Sequence, residues 1–261
     1  MNLFRLKSYL NFLVNSTNQH GIHPPFLYGF VTKCLYAEID NETLNVLKKS
    51  RQKILESDEV ISMIDHGAGS QNFSSQKRSV SNVAMRAGMR LHQSKLMNKI
   101  IRYFDVKTAL EFGTSVGLGS VAMASKNPSL SLDTVDACPN TSAVAKKNFQ
   151  KLNLDNISVY NKDFNTFIDH LDQQKTYDLI YIDGDHKKDA TLAYFDRLKK
   201  HSHQQSILIF DDIYWSSDMK EAWQCITEDK DVKLSLDLYF WGIVFFKPEL
   251  TKQHFRIRCF K

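Results

Sequence analysis

From Thr108 onward, apolar runs and amphipathic stretches take turns along the chain. The runs 108–112, 132–136, 157–161, 177–182 and 206–211 have the length and apolar content of buried strands. Between them, 119–126, 140–152, 164–171 and 188–200 carry helical spacing. Such alternation predicts a parallel sheet covered by helices on both faces. Two last runs, 232–239 and 242–247, are separated by too little chain for a crossover helix. They predict an antiparallel hairpin at one edge of the sheet.

Residues 1–107 read differently. Helical stretches are predicted at 3–15, 25–37 and 42–57, and a fourth at 81–104 leads into the first strand. His20-Gly-Ile-His23-Pro-Pro reads as a turn into the second of these, with Pro25 near its start. Asp65 to Ser81 is dense in Gly, Ser, Gln and Asn. Loops longer than about 12–15 residues are uncommon unless they act as lids or binding loops. As a lid, this one could bring His66 or Arg78 over a substrate. The expectation is an α/β fold: a Rossmann-like, seven-stranded, mostly parallel sheet ending in an antiparallel hairpin. A helical N-terminal extension (1–107) precedes the sheet domain (108–261).

Composition narrows the class only a little. Of the 261 residues, 43% are hydrophobic and 24% charged, as in an ordinary globular protein. The net charge of +5 is spread along the chain and permits an acidic partner without demanding one. Cys34, Cys138, Cys225 and Cys259 form no C-x-x-C pair, which favours reduced thiols in a cytoplasmic setting over disulfides or zinc. No apolar run reaches the roughly 18 residues that span a membrane. Leu3, Phe4, Leu6, Leu10, Leu13 and Val14 fall at helical spacing, but Arg5 and Lys7 interrupt them. That pattern favours core packing over a secretory signal or a membrane-surface helix.

The densest chemical signal is Ala-Leu-Glu-Phe-Gly-Thr-Ser-Val-Gly-Leu-Gly at 109–119. Glycines at a strand-to-helix turn let the backbone approach a ligand closely. Gly119 is followed by Ser120 and Val121, which excludes a P-loop, and Gly113, Gly117 and Gly119 do not follow the dinucleotide G-x-G-x-x-G order. Glu111, two positions before the first glycine, suits an amine-bearing or cationic ligand better than a pyrophosphate.

This turn, the preceding glutamate, five strand–helix units and the terminal hairpin resemble the class I S-adenosylmethionine-dependent methyltransferases over about 108–247. The resemblance implies that Glu111, Gly113, Thr114, Ser115, Gly117 and Gly119 hold the methionine part of S-adenosyl-L-methionine. It implies that Asp136, beside Ala137, binds the ribose hydroxyls, since a carboxylate accepts two hydrogen bonds from a cis-diol. Asp163, followed by Phe164, would meet the adenine amino group. Asp136 and Asp163 are also well placed to cap helices, a structural reading that stands beside the functional one.

Tyr177-Asp-Leu-Ile-Tyr-Ile-Asp-Gly-Asp-His186 is similar to the small-molecule O-methyltransferase branch, which includes catechol- and caffeoyl-CoA-type enzymes. There an aspartate at the Asp183 position binds a divalent metal, and a lysine three residues later is the base. Here that later position is His186, and an imidazole, with an ordinary pKa of about 6.5, can take a hydroxyl proton near neutral pH. Asp183 would also lie against the cofactor. With Asp211 and Asp212 it would make an oxygen-rich site for Mg²⁺ or another divalent cation. Tyr214 and Trp215 could wall an aromatic substrate, while Trp241 reads as core or rim.

The activity implied is O-methylation of a small hydroxylated molecule. One alternative is a nucleic-acid methyltransferase on the same fold, disfavoured because Asp-Gly-Asp-His stands where base-amino enzymes carry Asn/Asp-Pro-Pro-Tyr/Phe. Another is a cofactor-binding scaffold without catalysis. Oligomeric state, a homodimer included, stays open at this level.

Overall fold

A computed structural model describes residues 3–63 and 76–259 of the chain. His66 and most of the expected 65–81 loop lie outside the described residues. The chain opens with α1 (Leu3–Asn15) and α2 (Pro25–Phe30), which runs on into a π-helical turn at Val31–Leu35. Pro25 opens α2 without loss, because the first turn of a helix leaves its N–H groups unpaired anyway. Next comes α3 (Asn41–Leu55), capped by Asp40, whose carboxylate accepts the Thr43 N–H at 2.8 Å.

Two short strands follow, β1 (Val60–Met63) and β2 (Gln76–Ser79), paired antiparallel. The second of them takes up residues assigned to the long loop. The helix expected at 81–104 is two helices, α4 (Val80–Ala87) and α5 (Leu91–Tyr103). They part at Gly88, where a Cβ would lie 2.5 Å from the Ala84 carbonyl oxygen and 2.8 Å from Leu118 Cδ1.

The alternation beyond Thr108 matches expectation closely. In order come β3 (Thr108–Phe112), α6 (Leu118–Ala124), β4 (Ser131–Val135), α7 (Pro139–Lys151), β5 (Ile157–Tyr160) and α8 (Phe164–Asp169). Then follow β6 (Tyr177–Ile182), α9 (Lys188–Leu198), β7 (Ser202–Asp211), α10 (Ser217–Glu228), β8 (Leu234–Asp237), β9 (Trp241–Phe245) and β10 (Gln253–Arg256). The mostly parallel sheet has eight strands, one more than expected. The addition is β10, which runs parallel to β8 and so takes the outer position that the hairpin was expected to hold.

The chain divides into two compact units, 37–171 and the two chain ends, 1–36 with 172–261. In the first, β3, β4 and β5 lie side by side, all parallel, with Thr108 opposite Ser131 and Leu132 opposite Ile157. Leu110, Phe112, Leu132 and Val135 are wholly buried there, along with Met97 and Ile100 of α5. In the second unit β6 pairs parallel with β7, and β7 and β8 both pair antiparallel with β9. Its core holds Ile180, Leu208, Trp241 and Phe245, and Phe30 of α2 packs edge-on against Phe245 at 5.8 Å.

The second unit needs both ends of the chain. Thr17 pairs with Ile257 in an isolated parallel bridge, its N–H donating to the Arg256 carbonyl at 2.8 Å while its own carbonyl accepts the Arg258 N–H at 3.1 Å. The Tyr36 hydroxyl donates to the Arg258 carbonyl at 2.9 Å.

Candidate functional site

In the 37–171 unit, β3 ends in a turn that ordinary side chains resist. Gly113 has φ 101° and Gly117 has φ 82°, and between them Ser115 adopts φ 47°. Left-handed backbone is routine for glycine and costly for most other residues. Packing adds a second demand: a Cβ on Gly117 would come within 2.6 Å of the Phe149 ring, and one on Gly119 within 2.2 Å of Glu111 Oε1. Two of the three glycines are therefore required by the protein's own neighbours, whatever ligand the turn receives.

Glu111 is 1% exposed and its carboxylate faces inward. Oε2 accepts the Thr134 hydroxyl at 2.6 Å and the Ser120 hydroxyl, and Thr134 shares a further hydroxyl contact with Thr114 at 2.6 Å. Burial pushes this carboxyl up to about 7, against the opposing pull of the two hydroxyl bonds. Its visible work is to lock β3, β4 and the start of α6 together.

Asp136, at the end of β4, reaches back to the turn. Its Oδ2 accepts the Ser115 N–H at 2.7 Å and its Oδ1 accepts the Cys138 N–H at 2.8 Å. The carboxylate is half-buried, and its Oδ1 also accepts the Thr141 hydroxyl at 3.4 Å. Ala137 follows it, also half-buried. Asp163 is the N-cap of α8, accepting the Thr166 N–H at 2.9 Å and its hydroxyl at 2.6 Å, which hold the carboxyl below its ordinary value. Beside it, Phe164 stacks on Phe112 with centroids 4.4 Å apart. Of the two carboxylates, Asp136 reaches back to the glycine turn, whereas Asp163 is engaged by its own helix.

The other unit holds the second group. After β6 the chain passes Asp183 and reverses at Asp185, whose φ is 50°. The Tyr194 hydroxyl donates to Asp185 Oδ2 at 3.1 Å. The reversal brings His186 back so that Nε2 lies 3.7 Å from Asp183 Oδ1. At the end of β7, Asp211 is half-buried with its Oδ1 enclosed, and Asp212 turns left-handed with φ 50°. The Asp212 N–H donates to the Phe240 carbonyl at 2.8 Å, and its own carbonyl accepts the Trp215 N–H at 2.7 Å. Neither aspartate caps α10; Ser216 does, accepting the Met219 N–H at 3.2 Å.

Burial, then the charges of Asp183 and Asp212, push the Asp211 carboxyl well above the ordinary carboxylate range. Among the described residues, no group of three or more His, Cys, Asp or Glu side chains is arranged to hold a metal ion. Of the three aspartates expected to hold a divalent ion, Asp183 and Asp212 both act on Asp211, and Asp212 Oδ1 lies 3.5 Å from the Arg5 guanidinium.

The aromatic pair separates. Tyr214 is 4% exposed; it donates to Asp237 Oδ2 at 2.6 Å and stacks on Tyr239, so it cannot wall a substrate. Trp215 is 47% exposed, with its ring 5.7 Å from that of His186. Trp241 is wholly buried, as core. Arg5 completes the group: its guanidinium lies 4.6 Å above the Trp215 ring, and its carbonyl accepts the Tyr239 hydroxyl at 2.8 Å. The sequence marks Arg5 only as a charge interrupting an apolar helix, and a partner more than 200 positions away leaves no local signal.

The family described as Methyltransferase domain matches residues 110–213. The matched stretch takes in the glycine turn, Asp136, Asp163, Asp183, His186, Asp211 and Asp212. Solved structures share the fold. The methyltransferase PaMTH1 of Podospora anserina, bound to S-adenosylhomocysteine, is 14% identical with a TM-score of 0.58, covering 87% of this chain and 99% of its own. The O-methyltransferase TomG of Streptomyces achromogenes, in complex with S-adenosylmethionine, is 13% identical with a TM-score of 0.56, covering 85% and 95%. An O-methyltransferase from Bacillus cereus, in complex with S-adenosylhomocysteine, is 16% identical with a TM-score of 0.52, covering 84% and 96%. No curated protein matches the chain. The matched stretch thus lies in a chain that shares the Rossmann-like fold of these solved methyltransferases, and among the described residues no helix is long and apolar enough to cross a membrane.

Proposed function

We propose that this protein uses S-adenosylmethionine to methylate a hydroxyl group of a small molecule, with His186 as the base. When bound, the cofactor supplies a methyl group on a sulfonium, open to in-line attack by an oxygen. The residues from Gly113 to Gly119, with Asp136, hold its adenosyl and methionine parts. The observation that carries the acid–base assignment is the placement of His186 between a carboxylate and a half-exposed aromatic face. Nε2 is turned toward Asp183, 3.7 Å away, which leaves Nδ1 to accept the proton from the acceptor hydroxyl. Asp183 steadies the imidazolium that results. Trp215 gives a flat acceptor one apolar face to lie against.

The test is His186→Ala, assayed by release of S-adenosylhomocysteine with a panel of phenolic acceptors. Loss of a general base lowers turnover by about 10²–10⁴. Affinity for S-adenosylhomocysteine, measured by calorimetry, stays at the wild-type value. Undiminished turnover in the variant removes His186 from the mechanism. A folded wild-type protein that binds neither cofactor nor product removes the methyl-transfer reading altogether.

A further inference from the structure

The first helix, α1, is turned the wrong way round for simple core packing. Leu6 and Leu10 are exposed, while Arg5 is half-buried on the side that carries the buried Ser8 and Phe12. Drawing a guanidinium partly out of water costs free energy, which partners on that side must return. They come from the other end of the chain. Asp212 Oδ1 stands 3.5 Å from the Arg5 guanidinium, which lies 4.6 Å from the centre of the Trp215 ring. Trp215 is in turn tied to Asp212, whose carbonyl accepts its N–H, and its ring lies 5.7 Å from that of His186. One face of the indole is thus taken by Arg5, and a ring of the acceptor has the other.

Backbone strain marks the same place. Within the unit made of the two chain ends, the described non-glycine residues with left-handed backbone are Asp185, Asp212 and Tyr239. Asp185 turns the chain back at His186, Asp212 faces Arg5, and Tyr239, at φ 73°, holds α1. Such backbone is an outlier for a bulky side chain and persists only where its surroundings enforce it. The Tyr239 hydroxyl donates to the Arg5 carbonyl at 2.8 Å, and its ring meets those of Tyr9 at 4.9 Å and Phe12 at 5.7 Å. Stacking on Tyr214, and an N–H bond to Asp237 Oδ1 at 2.8 Å, fix Tyr239 itself. We propose that Arg5 is a positioning residue for a flat aromatic acceptor: it holds the Trp215 indole beside His186, and Tyr239 latches α1 so that Arg5 stays over the ring. This inference rests on the reading of His186 as the base and Trp215 as the acceptor's wall. The N-terminal helix is on this account part of the acceptor site.

Steady-state kinetics with the best phenolic acceptor of the panel test it, with affinity for S-adenosylhomocysteine measured alongside. Arg5→Gln raises KM for the phenol about threefold to tenfold, the value of a cation over an aromatic face. Tyr239→Phe keeps the ring packing, loses one hydrogen bond and raises KM about threefold. In both variants kcat at saturating phenol and affinity for S-adenosylhomocysteine stay at wild-type values, because a wall that meets ground state and transition state alike moves KM alone. Tyr239→Phe carries the test even where Arg5→Gln fails to fold. An unchanged KM overturns the inference. So does a fall in kcat or in S-adenosylhomocysteine affinity without a rise in KM, which reduces Arg5 to a general structural part. Wild type that methylates no phenol defeats the reading of the site, and this inference with it; phenol turnover with KM unmoved in the variants defeats this inference alone.

Discussion

Replacing Glu111 by glutamine tests how much a buried carboxyl governs stability. The side chain is 1% exposed, and burial pushes it up to about 7 from an ordinary value of 4.5. A group raised in the folded state holds its proton there after the unfolded chain has released it. Stability is therefore full below about pH 4.5, falls as pH rises, and levels off above about 7. The span of about 2.5 units corresponds to about 3 kcal/mol, at 1.36 kcal/mol per unit. Glutamine keeps the shape and an acceptor for Ser120 and Thr134 but cannot ionise. The stability difference between Glu111→Gln and wild type, from urea titrations at fixed salt, should shift by that amount in favour of the variant between pH 4.5 and 7.5. In thermal scans the same shift is roughly 6–12 °C. A difference that stays flat across the range refutes the argument, since it would mean that Glu111 titrates alike folded and unfolded.

Other perturbations follow from the same geometry. Gly117→Ala forces a side chain into left-handed backbone and against Phe149, and should cost about 2–5 kcal/mol in urea denaturation. Adding Phe149→Leu should recover the clash and leave the backbone strain, so a double mutant no better than the sum of its parts contradicts the account. Arg5→Gln frees the indole of Trp215; because Trp223 and Trp241 are buried, acrylamide quenching of tryptophan fluorescence should rise, and unchanged quenching would deny Arg5 its hold.

What could be read from the sequence was what burial dictates. The apolar run Thr108–Phe112 became β3 residue for residue, and the helix that begins the chain runs from Leu3 to Asn15 as its spacing predicts. Elements held by backbone pairing rather than apolar burial escaped notice. The first half of β7 reads Ser-His-Gln-Gln and β10 reads Gln-His-Phe-Arg, neither an apolar run. The stretch 81–104, expected as one helix, parts at Gly88, where a Cβ would lie 2.5 Å from the Ala84 carbonyl oxygen. At the candidate site, residue types were legible but orientations were not. Tyr214 and Trp215 are neighbours in sequence, yet the left-handed bend at Asp212 leaves one buried and the other exposed.

The bridge between Thr17 and Ile257 sets an order of assembly during synthesis. Residues 37–171 are complete as a compact unit while the last third of the chain is still being made. At about 5–20 residues per second, that unit has several seconds to fold before its successor can. The first helix, with Leu3, Leu10 and Val14 more than half exposed even in the finished protein, must wait longest for the strand that anchors it. A nascent chain stalled before residue 172 should therefore yield a protease-resistant core cut from 37–171, with its N-terminal helix digested away.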